Sequence, residues 1–378
     1  MVYHLKHKML AQQNAADIAR SRFVLALKRH LVSQIRSANG VAYEKEAIPA
    51  YESKTGRKPQ TQDEALEAFS LSKHYRTWSA LNRTSQEMMW QTVAESIYRD
   101  QDRLKDEAAQ QARRNQMGSL ELDPQFEPPA DYQGVGIHLQ PHSYVPEDPL
   151  GTDISAGAFY EMGGRLYSMG RGMAAKDSKA ESVLIHLKET RPGWTPGRIL
   201  DMGCSAGGGT VPYAEAFPEA EVHGIDLGSS MLRYAHARAE ALGHAVHYHQ
   251  MDAARTKFPD GYFDLIISHN LLHEISSATR DAVAKETQRL LAPGGIAVHQ
   301  DVDLLFDDSK QLWEKAERAW DYYHNHELFW LDYATSDMLS DLKNAQFDES
   351  RIKALKLPKT SGPGYWQVFV AEKEREAA

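Results

Sequence analysis

Arg198-Ile-Leu-Asp-Met-Gly-Cys-Ser-Ala-Gly-Gly-Gly-Thr210 runs from apolar residues through an acid into a turn that carries four glycines. Such a stretch reads as a strand leaving a sheet into a loop where backbone meets a ligand closely. Glycine puts no Cβ in the way, and the helix that follows presents unpaired N–H groups. Two phosphate patterns fail here. G-x-G-x-x-G from Gly203 would need glycine where Ser205 stands, and no Gly-Lys-Ser/Thr follows.

Outward from this stretch, apolar runs alternate with helical spacing to the end of the chain. They are 198–201, 221–226, 245–249, 263–268, 295–299, 351–355 and 365–370. Strands alternating with helices imply right-handed crossovers and a doubly wound, mostly parallel α/β sheet of seven strands, covered on both faces. Its ligand would sit beyond the strand carboxyl ends, where strand order reverses. Three successive runs bring an acid there: Asp201, Asp226 and Asp252 in "HQMDAA". Three acids suit a ligand rich in hydrogen-bond donors, and an acid closing the second strand can accept both hydroxyls of a ribose.

From about Met173 onward the chain resembles the class I S-adenosylmethionine-dependent methyltransferases. The first motif of that family, an apolar strand leading into D-x-G-C-G-x-G, matches "ILDMGCSAGG" with Ser205 in place of a glycine. "VHGIDLGSSML" matches the segment holding the ribose acid, and "RLLAPGGIAV" the helix, turn and fifth strand. The resemblance implies a Rossmann-like fold with S-adenosyl-L-methionine as cofactor. Asp201 and Gly203 would flank its methionine part, and Asp226 would take the ribose. Asp252 and Ala253 would face the adenine, and His269 would approach the methionine end. Cys204, Ser205, Gly207, Leu227 and Met231 complete the implied cofactor set, with Cys204 a small turn residue lacking a base.

Residues 1–118 read as an α-helical N-terminal domain, with breaks at Gly40 and between Thr55 and Pro59, and a capping box from Thr61 to Glu64. The charged stretch Arg99 to Arg114 reads as a solvated helix face. No family resemblance is recognised in this half; a lid, substrate selection or a homodimer interface are its expected roles. Six prolines between Leu120 and Gly151 mark a linker or ordered loop over 119–152. The methyltransferase domain follows over 153–378, with a helix expected from Met173 to Leu187.

Composition narrows the partners. A net charge of −9 supplies no broad basic face, which counts against nucleic acid, and the fourth strand exits into Ser-His-Asn-Leu rather than an N-P-P-Y type motif. No apolar run approaches the ~20 residues of a membrane helix, so a cytoplasmic protein is expected. The single cysteine rules out an internal disulfide.

Methyl transfer to oxygen or carbon often needs a base. "SHNLLHEI" offers His269, His273 and Glu274 as candidates, with Asn270 beside the acceptor. His269 and His273 stand four apart, but H-E-x-x-H is absent and no metal is expected. Tyr160, Tyr167 and Arg171 would form part of a lid. In "WDYYHNHELFWLDY", Tyr322, His324 and His326 would anchor the acceptor in an aromatic wall, unless the aromatics pack as core. If His273 and Glu274 prove structural, the base falls within 322–327 or the acceptor is an amine. The expected acceptor is a small molecule of secondary or specialised metabolism. The alternatives are a protein or nucleic-acid acceptor and a non-catalytic binding scaffold.

Overall fold

The computed structural model describes residues 7–113, 117–132, 136–142, 151–170, 178–305 and 310–375, the side chains of Asp131 and Ser178 excepted. Eight strands form one sheet: β1 (Ser119–Glu121), β2 (Arg198–Met202), β3 (Glu221–Asp226), β4 (His247–Gln250), β5 (Phe263–His269), β6 (Leu291–Val302), β7 (Ile352–Pro358) and β8 (Tyr365–Glu372). Their order is β1-β4-β3-β2-β5-β6-β8-β7, parallel from β1 to β6, with β8 antiparallel to both β6 and β7.

The seven predicted strands are all present. The eighth, β1, lies within the stretch read as a linker, where Ser119, Leu120 and Glu121 pair with His247, Tyr248 and His249. Three residues are too few to show the alternation that marks a strand.

Residues 199–202 and 222–226 are buried without interruption, as strands covered on both faces require. One face packs through Leu200, Met202, Ile225, Ile266 and Phe369. The other packs through Ile199, Val222, Leu265, Val298 and Val370. Strand order reverses about β2, which has β3 on one side and β5 on the other.

The N-terminal half is helical, and its longest element is the 39-residue helix Lys73–Gln111. Thr61 caps the helix Gln62–Leu71 by accepting from the Glu64 N–H at 3.3 Å. The Glu64 carboxylate accepts from the Gln60 N–H instead of closing a capping box. Gly56 ends the preceding helix at φ 79°. Gly40, expected as a break, lies inside helical turns, and a Cβ there would stand 2.8 Å from the Trp313 ring. Close packing fixes that glycine.

The charged stretch is also more engaged than a solvated face. Arg99 pairs with buried Asp17, and Arg103 donates to the carbonyls of Lys8 and Leu10. The expected helix from Met173 is found as Ser178–Thr190, with 173–177 outside the described residues.

Helix Ser155–Tyr167 joins the two halves. Trp90, Val93 and Ile97 of the long helix share a core with Phe159 and Met162 of this one, and with Met231 and Tyr234 of helix Ser229–Leu242. Beneath that core, Glu161 accepts from Arg238 at 3.1 Å and from the Tyr234 hydroxyl at 2.6 Å, and it pairs with His7 at 3.0 Å. Among the described residues no helix is long and apolar enough to cross a membrane.

Candidate active site

A cavity of about 470 Å³ opens at the carboxyl ends of the parallel strands. One wall is Gly203, Ser205, Asp226, Leu227, Asp252 and Ala253. The roof comes from the supposed linker, with Pro129, Tyr132, Ile137, His138 and Gln140, together with Tyr160 and Tyr167. The far wall is His273, Glu274, Glu327 and Trp330.

The glycine turn serves the protein before any ligand. Gly203 and Gly207 both sit at φ 72°, a conformation that excludes most side chains. A Cβ on Gly203 would meet the Leu271 side chain at 2.9 Å, and one on Gly207 would lie 2.3 Å from the Tyr248 hydroxyl. Gly209 makes similar room for the His269 ring. Ser205 is itself left-handed, at φ 48°, which explains why the family motif carries glycine there.

Asp226 closes β3 almost fully buried. Its two oxygens accept from the N–H groups of Ser205 and Gly228, each at 2.9 Å, and no cation pairs with it among the described residues. Burial pushes its carboxyl up to about 6, against the pull of those N–H groups. A desolvated acceptor of this kind calls for donors, which two ribose hydroxyls supply. Leu227, Met251 and Ala253 give a flat apolar surface beside it, with Asp252 at its edge. These residues fit S-adenosylmethionine.

Other members of the implied cofactor set stand behind this wall, outside the cavity lining. Asp201 accepts from the Thr210 hydroxyl at 2.6 Å, and Met231 is core. Cys204 is buried, and burial together with the charges of Asp226 and Asp201 pushes its thiol well up. It stays protonated, as a packing residue does.

His269 lines the cavity with both ring nitrogens engaged. Nδ1 lies 2.7 Å from Gln300 Oε1, and Nε2 3.1 Å from the Tyr213 hydroxyl. The Gln300 oxygen requires the proton on Nδ1, and the Tyr213 hydroxyl can serve as donor or acceptor toward Nε2. That arrangement ties both ring nitrogens to neighbouring side chains. Asn270, at φ 60°, lines the cavity, and its Oδ1 is buried without a partner among the described residues.

His273 and Glu274 belong to a chain of alternating carboxylates and imidazoles. Asp301 Oδ1 is 2.5 Å from His273 Nδ1, and His273 Nε2 is 3.4 Å from Glu274 Oε1. Glu274 Oε1 is 2.8 Å from His138 Nε2, and His138 Nδ1 is 2.5 Å from Glu327 Oε1. Burial pulls both histidines down, but the flanking carboxylates outweigh it and raise each well above the usual range. The same imidazolium groups hold Glu274 well below the ordinary carboxylate range, against its burial. As cations, the two histidines cannot take a proton.

His138, Glu274 and Glu327 bring ligand-type atoms within 4.8 Å of one another. The two carboxylates occupy opposite nitrogens of one ring, the arrangement of a double ion pair rather than of three ligands converging on an ion.

Of the remaining candidates, Tyr160 and Tyr167 line the cavity, while Arg171 lies outside the described residues. Tyr322, His324 and His326 do not line it. Tyr322 is 40% exposed, the His324 ring lies near that of Trp320, and His326 Nδ1 contacts the Gly136 carbonyl at 3.2 Å. Trp320 and Tyr333 are core, as the packing alternative expected, and Trp330 alone of that stretch's aromatics faces the cavity. Trp330 falls in the aromatic stretch read as a possible pocket wall, whereas His138 and Asp301 carried no sequence signal, because their partners are remote in the chain.

A family profile described as a methyltransferase domain matches residues 199–295. The ubiquinone/menaquinone biosynthesis C-methyltransferase UbiE of Burkholderia mallei (strain SAVP1) is 30% identical over 178 residues, 47% of this chain and 68% of that protein. An uncharacterized protein of Rickettsia prowazekii, RP789, is 33% identical over 101 residues, 26% of this chain but only 18% of its own length. Among solved structures, phosphoethanolamine N-methyltransferase 2 of Haemonchus contortus aligns with a TM-score of 0.40 at 20% identity, covering 52% of each chain. A SAM-dependent methyltransferase of Aquifex aeolicus aligns at 0.35 and 20% identity, covering 51% of this chain and 88% of the other. The chain belongs to the class I S-adenosylmethionine-dependent methyltransferases, and S-adenosyl-L-methionine is its cofactor.

Proposed function

We propose that this chain methylates a small molecule held between the cofactor wall and the far wall of the cavity. The observation that carries this reading is the roof. Tyr132, Ile137, His138, Tyr160 and Tyr167 cover a space of about 470 Å³ between Asp226 and Trp330, the size of a cofactor with a small partner. A protein or nucleic-acid acceptor would need an open approach, and a scaffold without activity would not need the polar far wall.

When bound, S-adenosylmethionine supplies a methyl carbon already activated by its sulfonium. This chain's residues would do the rest. Asp226 and the Ser205 turn would hold the ribose, and Leu227 with Ala253 the base. The roof would exclude water and align the acceptor, which is most of what an in-line displacement asks of a protein. The related UbiE is named as a C-methyltransferase of quinone biosynthesis, so oxygen, nitrogen and carbon acceptors all stay within the reading.

The test is calorimetry with S-adenosylmethionine, followed by transfer of labelled methyl to a panel of small phenols, amines, carboxylates and enols. Micromolar binding with transfer to one class supports the reading. Absence of binding by folded protein, or transfer only to protein or RNA, overturns it.

A further inference from the structure

Glu327 is 1% exposed and lines the cavity. Its Oε1 is crowded, with His138 Nδ1 at 2.5 Å and the Tyr167 hydroxyl and Asn325 amide each at 3.3 Å. Its Oε2 is buried without a hydrogen-bond partner among the described residues. A buried carboxylate oxygen left unpaired is costly, and in a ligand cavity it marks the place where a donor from the ligand belongs.

The chain behind it has a definite charge. Within the chain itself, Asp301, Glu274 and Glu327 are one more carboxyl group than the two imidazolium rings of His273 and His138, and the neighbouring buried Asp321, pushed up to about 7 by burial and by Glu327, adds no cation. An anionic acceptor would be repelled from this wall, and a proton is welcome on it. Around the wall the lining is aromatic and apolar, from Trp90, Tyr132, Ile137, Tyr160 and Trp330, which favours a flat ring. A flat, neutral, hydroxyl-bearing molecule meets all three conditions.

We propose that Glu327 is the base on the acceptor side and that the acceptor is a small phenol- or enol-type molecule, its hydroxyl donating to Glu327 Oε2. The assignment rests on the methyltransferase reading above. In the step, the hydroxyl proton passes to Oε2 as the acceptor's oxygen, or a carbon conjugated with it, forms its bond to the methyl carbon. The bond from that carbon to the sulfonium sulfur breaks, and the electron pair stays on sulfur. Glu327 ends neutral with the proton, so the excess negative charge on the wall is gone, and the electron pair left on sulfur cancels the positive charge of the sulfonium. His138, Glu274, His273 and Asp301 are positioning residues: they hold the Glu327 carboxylate by Oε1 and keep Oε2 turned to the ligand.

The experiment compares the wild type with Glu327→Gln and His138→Gln, using methyl-labelled S-adenosylmethionine and four probes: phenol, 2-naphthol, 4-nitrophenol and aniline. Cofactor binding is read separately by calorimetry, and folding by circular dichroism. The wild type should methylate the phenols. Glu327→Gln should lower kcat on phenol and 2-naphthol by ~100-fold or more, the span of a lost general base, with KM nearly unchanged. It should keep or raise activity on 4-nitrophenol, since about half of that probe is already ionised at neutral pH and the variant no longer repels the anion. His138→Gln should show a smaller loss with the same rescue.

Equal losses on all phenols in folded Glu327→Gln protein would mean that the substitution had only damaged the wall, and would overturn the proposal. So would no loss, wild-type transfer to aniline alone, or cofactor binding without transfer to any probe. A wild type that fails to bind the cofactor removes the underlying reading and the proposal with it.

Discussion

His273 and Asp301 form a buried ion pair across adjacent strand ends, with Nδ1 2.5 Å from Oδ1. The other oxygen of Asp301 accepts from the Leu272 N–H at 2.8 Å, so one carboxylate fixes both the ring and the turn that carries it. The expected base is therefore a cation that organises the site. His273→Ala should leave Asp301 and Glu274 facing each other without the charge between them. A loss of about 3–5 kcal/mol is expected on breaking a buried pair from one side. Urea denaturation measures it; a loss below about 1 kcal/mol would mean that the pair is hydrated.

The same pair sets an alkaline limit. His273 is raised above its unfolded value, so its contribution to stability is complete below about pH 6.5, the unfolded value, and fades as pH rises through the folded one. Thermal melts from pH 6 to 10 should fall more steeply for the wild type than for a His273→Gln, Asp301→Asn double variant. Parallel curves would show that the ring is neutral.

Gly207→Ala should destabilise without touching the ligand. The new Cβ would lie 2.3 Å from the Tyr248 hydroxyl at a φ of 72°. Left-handed strain of about 1–2 kcal/mol adds to an overpacking cost of similar size. A melting temperature equal to that of the wild type would show that Tyr248 yields freely.

How far the sequence revealed these features depends on whether they are local. The runs 198–201 and 221–226 are legible because strands buried on both faces read as unbroken apolar stretches ending in an acid. Asp226 is legible for the same reason, since its position at a strand end places it on the cavity wall. β1 is not, for it is a strand only by virtue of its pairing with β4. The far wall is legible only in part: His273 and Glu274 are candidates and 322–327 the alternative place for a base, but nothing local joins them. His138 lies among prolines, Glu327 follows a run of aromatics, and only the fold brings both to Glu274. Gly40 shows the converse error: a glycine that looks like a helix break is there to admit Trp313.

Ser205→Gly restores the family's glycine at a left-handed position, φ 48°. Removing a strained side chain there should raise stability by about 0.5–1 kcal/mol, strain relief outweighing the added freedom of the unfolded chain. Cofactor affinity should hold, because the Ser205 contact with Asp226 is made by the backbone N–H. A large loss of affinity would assign the hydroxyl itself to the ligand.

Asp226, as the proposed ribose acceptor, should couple cofactor binding to protons. Its carboxyl is raised from 3.8 to about 6, so the folded apoprotein holds a proton that the unfolded chain has released. The contribution to apoprotein stability is complete below the unfolded value near 4 and is lost as pH rises through about 6. The difference is about 3 kcal/mol at 1.36 kcal/mol per unit. Asp226→Asn should abolish that slope, which denaturation at pH 4.5 and 7.5 would show. Binding has the opposite sign. Ribose hydroxyls need the carboxylate, so S-adenosylmethionine affinity should fall as pH drops below about 6, and binding near that pH should release a proton. Calorimetry in two buffers of different ionisation heat counts it: a release between zero and one at pH 6 that vanishes at pH 8 is expected, and no difference between the buffers at pH 6 would mean that the ribose lies elsewhere.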